Sequence, residues 1–363
     1  MSNMTQQELT EYNLGRDLDE LMNLDPRGYG VCRILYEASH RYAGGSVSMH
    51  FAKKLLAAVK EGDRVCIISG FRLLPHGSPE TDGIISSTLL ARTLIHMGIK
   101  PVLVVPEQCL EAVRSMSAVC GLHYYGDIAS VCEYPQAIAA VPFTTDKAKA
   151  KDEATAILSA AAPSAVIAIE APGENEIGVY HNATGLDLTR FEAKTDALFD
   201  LAKEQGIPTF AVGDLGNEMG MGTLRDHLET YIPYAQKGAG KSTCRCGCNG
   251  GIIARTAADT VLTATVSDWG VYAVIAAIAF LKEDPSLMHT PEMERETVTA
   301  ASRAGMVDMY GWLIPAIDGM DITILESLVS LMRSCMTNAL ALRKTCQTWF
   351  EKTLELGYFD GAK

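Results

Sequence analysis

Basic residues are scarce in this sequence relative to acidic ones. Its 31 lysines and arginines are outnumbered by 44 aspartates and glutamates, which gives a net charge of −13 at pH 7. An acidic chain without a basic run is poorly suited to nucleic acid or to an anionic membrane surface. We therefore expect neither of these as a partner and look for a small-molecule ligand instead.

The sequence also lacks a hydrophobic run that could span a bilayer. The longest one, residues 271–281, falls short of the roughly 20 residues that a membrane helix needs, and we predict a core helix there. The first twenty residues are polar and acidic, unlike a signal or transit peptide. Most of the ten cysteines stand singly beside apolar residues, which is typical of buried thiols in a reducing compartment. We therefore expect a cytoplasmic protein.

Three cysteines are an exception, because they stand together in one short segment. Cys244, Cys246 and Cys248 alternate with other residues, and this spacing differs from the Cys-x-x-Cys pairs of structural zinc sites. No second cluster and no histidine pair lies near them in the sequence. We interpret the segment as a loop with reduced thiols, and metal or redox chemistry is the alternative.

Apolar strands alternate with helices along most of the chain. We predict strands at 64–70, 100–105, 165–170, 207–212 and 260–266, and helices at 108–120 and 147–161. This alternation favours a doubly wound, mostly parallel α/β sheet with helical additions at both termini. Residues 1–45 are predicted to be a helical N-terminal extension packed on the main domain, and 46–363 a single α/β catalytic domain.

One stretch combines a buried strand with a loop of four glycines and two acids. Residues 213–222 read Gly-Asp-Leu-Gly-Asn-Glu-Met-Gly-Met-Gly, and a helix is expected to begin near Met219. Glycine permits positive φ and close approach of a ligand, whereas carboxylates at the end of a buried strand are costly unless something binds them. Ligands of open α/β sheets bind at the carboxyl ends of strands. We therefore predict a binding loop that contains Asp214, Asn217 and Glu218.

Acids and glycines also follow other strands. Glu80 and Asp82 follow the first strand, Glu170 ends another, and Asp308 and Asp318 lie in a late loop. Grouped carboxylates repel one another unless a cation or proton lies between them, and oxygen ligands suit Mg²⁺, Mn²⁺ or Ca²⁺. We expect these loops to line one cleft that holds a divalent metal. The alternative is that each acid is a turn or cap residue, which is strongest for Asp82 because a helix follows it directly.

Five motifs occur in order along the chain. They are Thr81-Asp82-Gly83, Glu170-Ala171-Pro172-Gly173 with Tyr180-His181-Asn182, the glycine-rich block at 213–222, Ser267-Asp268-Trp269-Gly270, and Asp318-Gly319. Together they resemble the D-glutamate cyclase family over residues 18–319, although Asp268 stands where we expect Asn and Leu215 where we expect Gly. The resemblance implies conversion of D-glutamate to 5-oxo-D-proline and water, with a divalent-metal site, Mn or Mg, built from carboxylates.

The acid pattern and the resemblance together give each candidate residue a role. Glu170, Asp214, Glu218 and Asp318 are predicted metal ligands, Glu80, Asp82, His181 and Asn182 are predicted catalytic residues, and Gly173, Asn217 and Lys241 are predicted to bind substrate. Two alternatives keep the same loops: a metal-dependent hydrolase or phosphatase acting on a small anion, and a non-catalytic binder of a small ligand. An apolar stripe at 324–332 could join two copies in a homo-oligomer, although core burial is the default.

Overall fold

The computed structural model describes residues 4–236, 244–345, 355–357 and 360–361. Its strands are β1 (Arg64–Ser69), β2 (Arg72–Leu73), β3 (Ser78–Pro79), β4 (Lys100–Val105), β5 (His123–Tyr125), β6 (Ala137–Pro142), β7 (Ala165–Ile169), β8 (Thr209–Gly213), β9 (Thr260–Thr263), β10 (Ala316–Ile317) and β11 (Met320–Asp321). Its helices are α1 (Gln6–Met22), α2 (Val31–Ala43), α3 (Val47–Ala58), α4 (Ile84–His96), α5 (Leu110–Val119), α6 (Ile128–Glu133), α7 (Ala150–Ala161), α8 (Asp196–Glu204), α9 (Arg225–Tyr231), α10 (Ser267–Leu281), α11 (Pro291–Arg303) and α12 (Ile322–Thr345).

The central sheet has seven strands, all parallel, in the order β5-β6-β4-β1-β7-β8-β9. From β1 the chain builds outwards through β4 to β5 and β6, then returns to β7 on the other side of β1 and continues to β9. In register, Ile67 of β1 lies beside Leu103 of β4 and Ile167 of β7. The strand order therefore reverses between β1 and β7, which is where open α/β sheets bind ligands.

Helices cover both faces of this sheet, so the predicted doubly wound α/β fold is confirmed. Alternate side chains of β1 enter different cores: Ile67 belongs to the layer with α1, α3, α4, α5, α10, α11 and α12, whereas Ile68 belongs to the layer with α2, α6, α7, α8 and α9. Helix α10 is buried almost all round, as its apolar sequence predicts, and it contacts α1, α3, α4 and α12.

The terminal helices are part of these two layers. Helix α1 packs on α10 and α12, and α2 packs on β9 and α9. On α12, Leu325, Leu328, Val329 and Met332 of the apolar stripe are buried in the core of this chain, while Leu331 is 49% exposed. Within the described residues, no helix combines the length and apolar character that crossing a membrane requires. The boundary at residue 45 stays a prediction.

The sequence interpretation missed two strands and misplaced the start of one helix. Strands β5 and β6 lie between residues 121 and 146, a stretch to which no element was assigned. The helix expected near Met219 begins at Arg225, after a short 3-10 turn, because Gly216 and Gly220 adopt positive φ and keep the preceding chain out of a helix.

Candidate active site

Acidic side chains converge at the carboxyl edge of the sheet, as predicted from their positions after parallel strands. One oxygen each of Asp82, Asp214 and Asp318 lies within 4.8 Å of the others, and the same is true of Glu170, Asp214 and Glu218. All five side chains are buried. Asp214 belongs to both groups and is therefore the centre of what we call the carboxylate cluster.

Two members of the cluster have backbones that non-glycine residues rarely adopt. Glu170, directly after β7, has φ +41, and Asp318 has φ +55. Asp318 and Gly319 form the two-residue turn between β10 and β11, where successive positive φ values suit an Asp-Gly pair. Turn chemistry therefore explains the backbone of Asp318, whereas Glu170 is held by no comparable turn. Strained residues of this kind concentrate at functional sites.

Arg27 brings a positive charge to the cluster, which the sequence analysis missed. It lies between α1 and α2, and its Nη1 donates to Oδ2 and to the carbonyl oxygen of Asp318, while Nη2 donates to the carbonyl of Thr265 at 2.6 Å. Both charged side chains are largely buried. The nominal N-terminal extension thus contributes a residue to the site.

Asp82 and Asp268 each cap the helix of the other. Asp82 precedes α4, but its carboxylate accepts hydrogen bonds from the backbone N–H groups of Ser267 (3.2 Å) and Asp268 (3.0 Å) at the start of α10. Asp268 Oδ1 in turn accepts from the N–H groups of Gly83 (3.1 Å) and Ser86 (2.9 Å) at the start of α4. Neither helix has a side-chain cap at its own N-cap residue. Asp82 is therefore a helix cap, as the alternative interpretation proposed, but it caps α10 and not the helix α4 that follows it.

The loops after β7 and β8 are joined directly. The N–H of Met219 donates to the carbonyl of Ala171, and the N–H of Gly173 donates to the carbonyl of Asn217 (3.1 Å). A Cβ on Gly173 would meet Ala254 Cβ at 2.5 Å and the backbone of Met219 at 3.2 Å, so this glycine permits close packing against the loop after β8 and the segment before β9. Glu218 accepts from the N–H groups of Leu215 and Gly216, and this fixes its carboxylate inside its own loop.

Burial and mutual repulsion raise the pKa values of Asp82, Glu170, Asp214 and Asp318. For Asp214 the causes are burial, followed by the charges of Glu170, Asp318 and Glu218, and its pKa lies well above the ordinary value. Burial also raises the pKa of Asp318, while the Arg27 guanidinium limits that rise. Asp214 Oδ1 is buried without a hydrogen-bond partner among the described residues. A set of buried oxygens with an unpaired one at its centre fits a hard divalent cation.

Glu80 lies beside the cluster rather than in it. The segment that carries Glu80 is hydrogen-bonded to residues that follow α11. The N–H of Thr81 donates to the carbonyl of Val307, and the Thr81 hydroxyl donates to the carbonyl of Ala316 in β10. Burial, followed by the charges of Asp318 and Asp82, raises the pKa of Glu80 well above its ordinary value. A carboxyl group whose pKa is raised binds a proton more tightly than an exposed one, which suits a role in proton transfer.

His181, Asn182 and Asn217 lie in the loops around the cluster. Asn182 Oδ1 accepts from the N–H groups of Thr184 and Leu186, a turn-forming pattern. Asn217 Nδ2 donates to the carbonyl of His181 (2.9 Å), and its buried Oδ1 has no partner among the described residues. The His181 imidazole faces the cysteine segment at 244–248 instead of the carboxylates. Lys241 lies outside the described residues.

An open cavity of about 470 Å³ lies elsewhere, between α2 and residues 222–227. Arg41, Tyr42 and His227 are among its lining residues, and no member of the carboxylate cluster is. We place the candidate site at the cluster because its perturbed carboxyl groups, strained backbone and position at the strand-order reversal all indicate chemistry.

Comparison with known proteins identifies the family of the chain. The chain is 33% identical over 118 residues to the mitochondrial D-glutamate cyclase of Homo sapiens, a match that covers 32% of this chain and 17% of the human protein. The alignment thus spans about a sixth of that relative's length. The family model described as "D-glutamate cyclase-like, C-terminal" matches residues 18–333, which include every member of the carboxylate cluster. The chain therefore belongs to the D-glutamate cyclase-like family.

Proposed function

We propose that the carboxylate cluster cyclises D-glutamate to 5-oxo-D-proline and water with the help of a divalent metal, Mn²⁺ or Mg²⁺. The observation that carries the proposal is the convergence of four other buried carboxylates on that of Asp214, with Arg27 as a counter-charge. The name of the human relative, D-glutamate cyclase, supplies the substrate. The proposed ligand is therefore a small amino acid.

The residues present fit such a metal. Asp214, Glu170, Glu218, Asp82 and Asp318 offer oxygen atoms in two overlapping groups, and burial of so many acids calls for a compensating charge. A cation bound there would act as a Lewis acid toward the γ-carboxylate and offset the repulsion between the acids and an anionic substrate.

The reaction sets clear demands on the protein side chains. The substrate nitrogen must bond to the γ-carbon, one γ-carboxylate oxygen must leave, and two protons of the ammonium group must leave with it as water. Glu80 suits this transfer, because its raised pKa lets the ionised form take a proton from the ammonium group and the neutral form deliver it to the departing oxygen. Ring closure is intramolecular, so holding both substrate ends in contact supplies much of the acceleration.

The fold holds these groups still. Asp82 is fixed by the first N–H groups of α10, and Glu170 Oε2 accepts a hydrogen bond from the Ser267 hydroxyl at 2.6 Å. Glu218 is fixed by its own loop. Rigid support of this kind is what positions reacting groups without a cost at the moment of reaction. A cytoplasmic location is also part of the proposal, and it is supported by the nine described cysteines, all of which are free thiols.

A product assay tests the proposal. Metal-free protein is incubated with D-glutamate, L-glutamate or a panel of phosphate esters, with and without Mn²⁺ or Mg²⁺, and the products are separated by chromatography. We expect metal-dependent 5-oxo-D-proline from D-glutamate. Glu80→Gln should lower kcat on the order of 10²-fold or more while Mn²⁺ binding, measured by calorimetry, persists.

Glu174→Gln is the matched control. Glu174 is also in the loop after β7, but its carboxylate is paired with Lys147 and Arg255 outside the cluster. This variant should keep most of the cyclase activity. Hydrolysis of a phosphate ester without lactam formation would move the assignment to a metal-dependent hydrolase, and metal-dependent binding without any turnover would leave a non-catalytic binder.

A further inference from the structure

A second group of metal-ligand side chains lies apart from the carboxylates. His181, Cys244, Cys246 and Cys248 each offer one ligand atom, and these four atoms lie within 4.8 Å of one another. His181 Nε2 is 3.2 Å from Cys246 Sγ and 3.3 Å from Cys248 Sγ. The histidine is more than sixty residues away from the cysteines in the sequence, so no local spacing could reveal this set.

The dimensions match a tetrahedral zinc site. With zinc bonds of about 2.3 Å to sulfur and 2.0 to 2.1 Å to nitrogen, neighbouring ligand atoms are about 3.6 Å apart for an N–S pair and about 3.8 Å for an S–S pair. The observed separations need only small side-chain shifts to reach these values. Three cysteines and one histidine are also a regular ligand set for structural zinc, whereas the carboxylate cluster offers only oxygens.

The local backbone is arranged so that the three cysteines face His181. The N–H of Gly247 donates to the carbonyl of Cys244 at 2.8 Å, and Gly247 has φ +83, so the segment turns between the first and last cysteine. The N–H of Cys246 donates to the carbonyl of Gly185 at 3.0 Å. A Cβ on Gly185 would approach Arg245 N to 2.9 Å, so the two loops are in direct backbone contact.

Burial differs among the four ligands in a way that suits a metal. His181 is fully buried and Cys244 is 2% exposed, whereas Cys246 is exposed and Cys248 is half-buried. An imidazole buried against thiols gains only weak hydrogen bonds from them, because sulfur is a poor partner. A zinc ion would instead bind Nε2 directly, and the exposed Cys246 side leaves it a route from solvent.

The cysteine segment is linked to the loops that carry the carboxylates. Asn217 Nδ2 donates to the carbonyl of His181, and Asn217 directly precedes Glu218. Asn175 Nδ2 contacts Cys248 Sγ at 3.6 Å and donates to the carbonyl of Gly251 at 2.8 Å. An ion at this place would therefore join residues 244–248 to the loop after β7 and, through Asn217, to the loop after β8.

We propose that His181, Cys244, Cys246 and Cys248 bind a structural zinc ion that fastens residues 244–248 onto the loops of the carboxylate cluster. The site is closed, with four protein ligands and no position for a substrate. It is thus separate from the proposed catalytic metal in both ligand chemistry and role. The zinc proposal does not depend on whether the protein has cyclase activity.

The metal content of the purified full-length protein tests the site. Protein produced in zinc-supplemented medium is passed through gel filtration in metal-free buffer, and zinc and protein are quantified by mass spectrometry and amino-acid analysis. We expect one zinc per chain. After replacement by Co²⁺, the protein should show visible bands of tetrahedral cobalt and an intense near-ultraviolet thiolate band, and a strong chelator should lower the melting temperature.

Variants assign the ligands. Cys246→Ser and His181→Ala should lose the zinc and the thiolate band, while His181→Cys should keep zinc because it retains four ligands. Cys335→Ser is the matched control, since Cys335 is a free, half-buried thiol on α12 outside the group. Asp214→Asn should also keep the zinc, because that residue belongs to the oxygen site.

Three results would overturn the proposal. One is wild-type protein with only background zinc and no cobalt thiolate band. Another is a mass lower by two hydrogens together with two unreactive cysteines, which would identify a disulfide in the segment. The third is zinc that persists in Cys246→Ser but disappears in Asp214→Asn, which would locate the ion at the carboxylates.

Discussion

Replacing Asp268 with asparagine should stabilise the protein at neutral pH. Asp268 Oδ1 accepts hydrogen bonds from the N–H groups of Gly83 and Ser86, and an asparagine Oδ1 can keep both. The other oxygen, Oδ2, is buried and has no partner within the described part of the chain. Burial, opposed by a hydrogen bond from Ser86 and assisted by the charge of Glu294, raises the pKa of Asp268 to about 8. Asparagine keeps the cap and removes the ionisation.

The size of the effect follows from the two pKa values. A carboxyl group that titrates at 3.8 when unfolded and at about 8 when folded favours the folded state fully only below pH 3.8. Its contribution is lost as the pH rises toward 8, by about 1.4 kcal/mol per pH unit. At pH 7 this amounts to at most about 4 kcal/mol, which the Asp268→Asn variant should recover.

Urea unfolding of metal-free protein at about pH 5 and about pH 7 measures the effect. The gain in the free energy of unfolding should be larger at the higher pH. Asp127→Asn is the control, because Asp127 is an exposed cap that accepts from Ser130 N, its pKa is lowered, and asparagine caps equally well. An Asp268→Asn variant that is less stable at both pH values would refute the reasoning. It would mean that Asp268 is ionised in the folded protein and that the start of α4 needs its charge.

Three further predictions concern the carboxylate cluster. Asp214→Asn should weaken Mn²⁺ binding measured by calorimetry, because Asp214 is common to both groups of oxygens. An unchanged Mn²⁺ affinity would indicate that Asp214 is a turn residue and not a metal ligand. Arg27→Met should lower the free energy of unfolding by about 3 kcal/mol at neutral pH, because it leaves the Asp318 carboxylate unpaired. Adding Asp318→Asn should recover most of this loss. An equal loss of stability at acidic pH, where Asp318 is protonated, would contradict the explanation. Gly83→Ala should destabilise the protein strongly, because φ is +80 and a Cβ would meet Glu170 Cβ at 2.5 Å, whereas Gly121→Ala, with φ +71 and open space, should lose only about 1 kcal/mol.

The convergence of the acids could be predicted because it follows from a property of the fold class. Once the strands before Glu80, Glu170 and Asp214 are recognised as parallel neighbours, their carboxyl ends must share one edge of the sheet. The periodic apolar pattern of those strands is strong, and all of them are central ones in the structure. Asp318 follows none of these strands, and it was included because it lies with Asp308 in a further loop that contains acids and a glycine.

The edge strand β5 and its neighbour β6 could not be recognised in the same way. Strand β6 reads Ala-Ile-Ala-Ala-Val-Pro, where alanine has low strand propensity and the last residue is proline. Strand β5 is only three residues long. Both gain their strand conformation from pairing in the sheet, which a local pattern does not report.

Contacts between distant segments were missed for a different reason. Arg27 reaches Asp318 across 291 residues of sequence, and Asp82 caps a helix that begins 185 residues later. Both side chains have an adequate local explanation, as a turn residue or as a cap of the following helix. Spacing along the sequence reveals a contact only when the two residues are close in the chain. The partners of Arg27 and of Asp82 are too distant in sequence for that.

The charge balance of the cluster shows why these distant contacts matter. Six acids, Glu80 and the five members of the cluster, are buried together, and Arg27 offsets one of their charges. The N-terminus of α10 meets Asp82 and contributes roughly half a positive charge, so roughly four to five negative charges remain. Buried charges of one sign are expensive, and the raised pKa values show that protons can remove part of the excess. A divalent cation on Asp214 would remove two charges without protonating its ligands, and Glu80 would then be left free to exchange the protons that the proposed lactam formation moves.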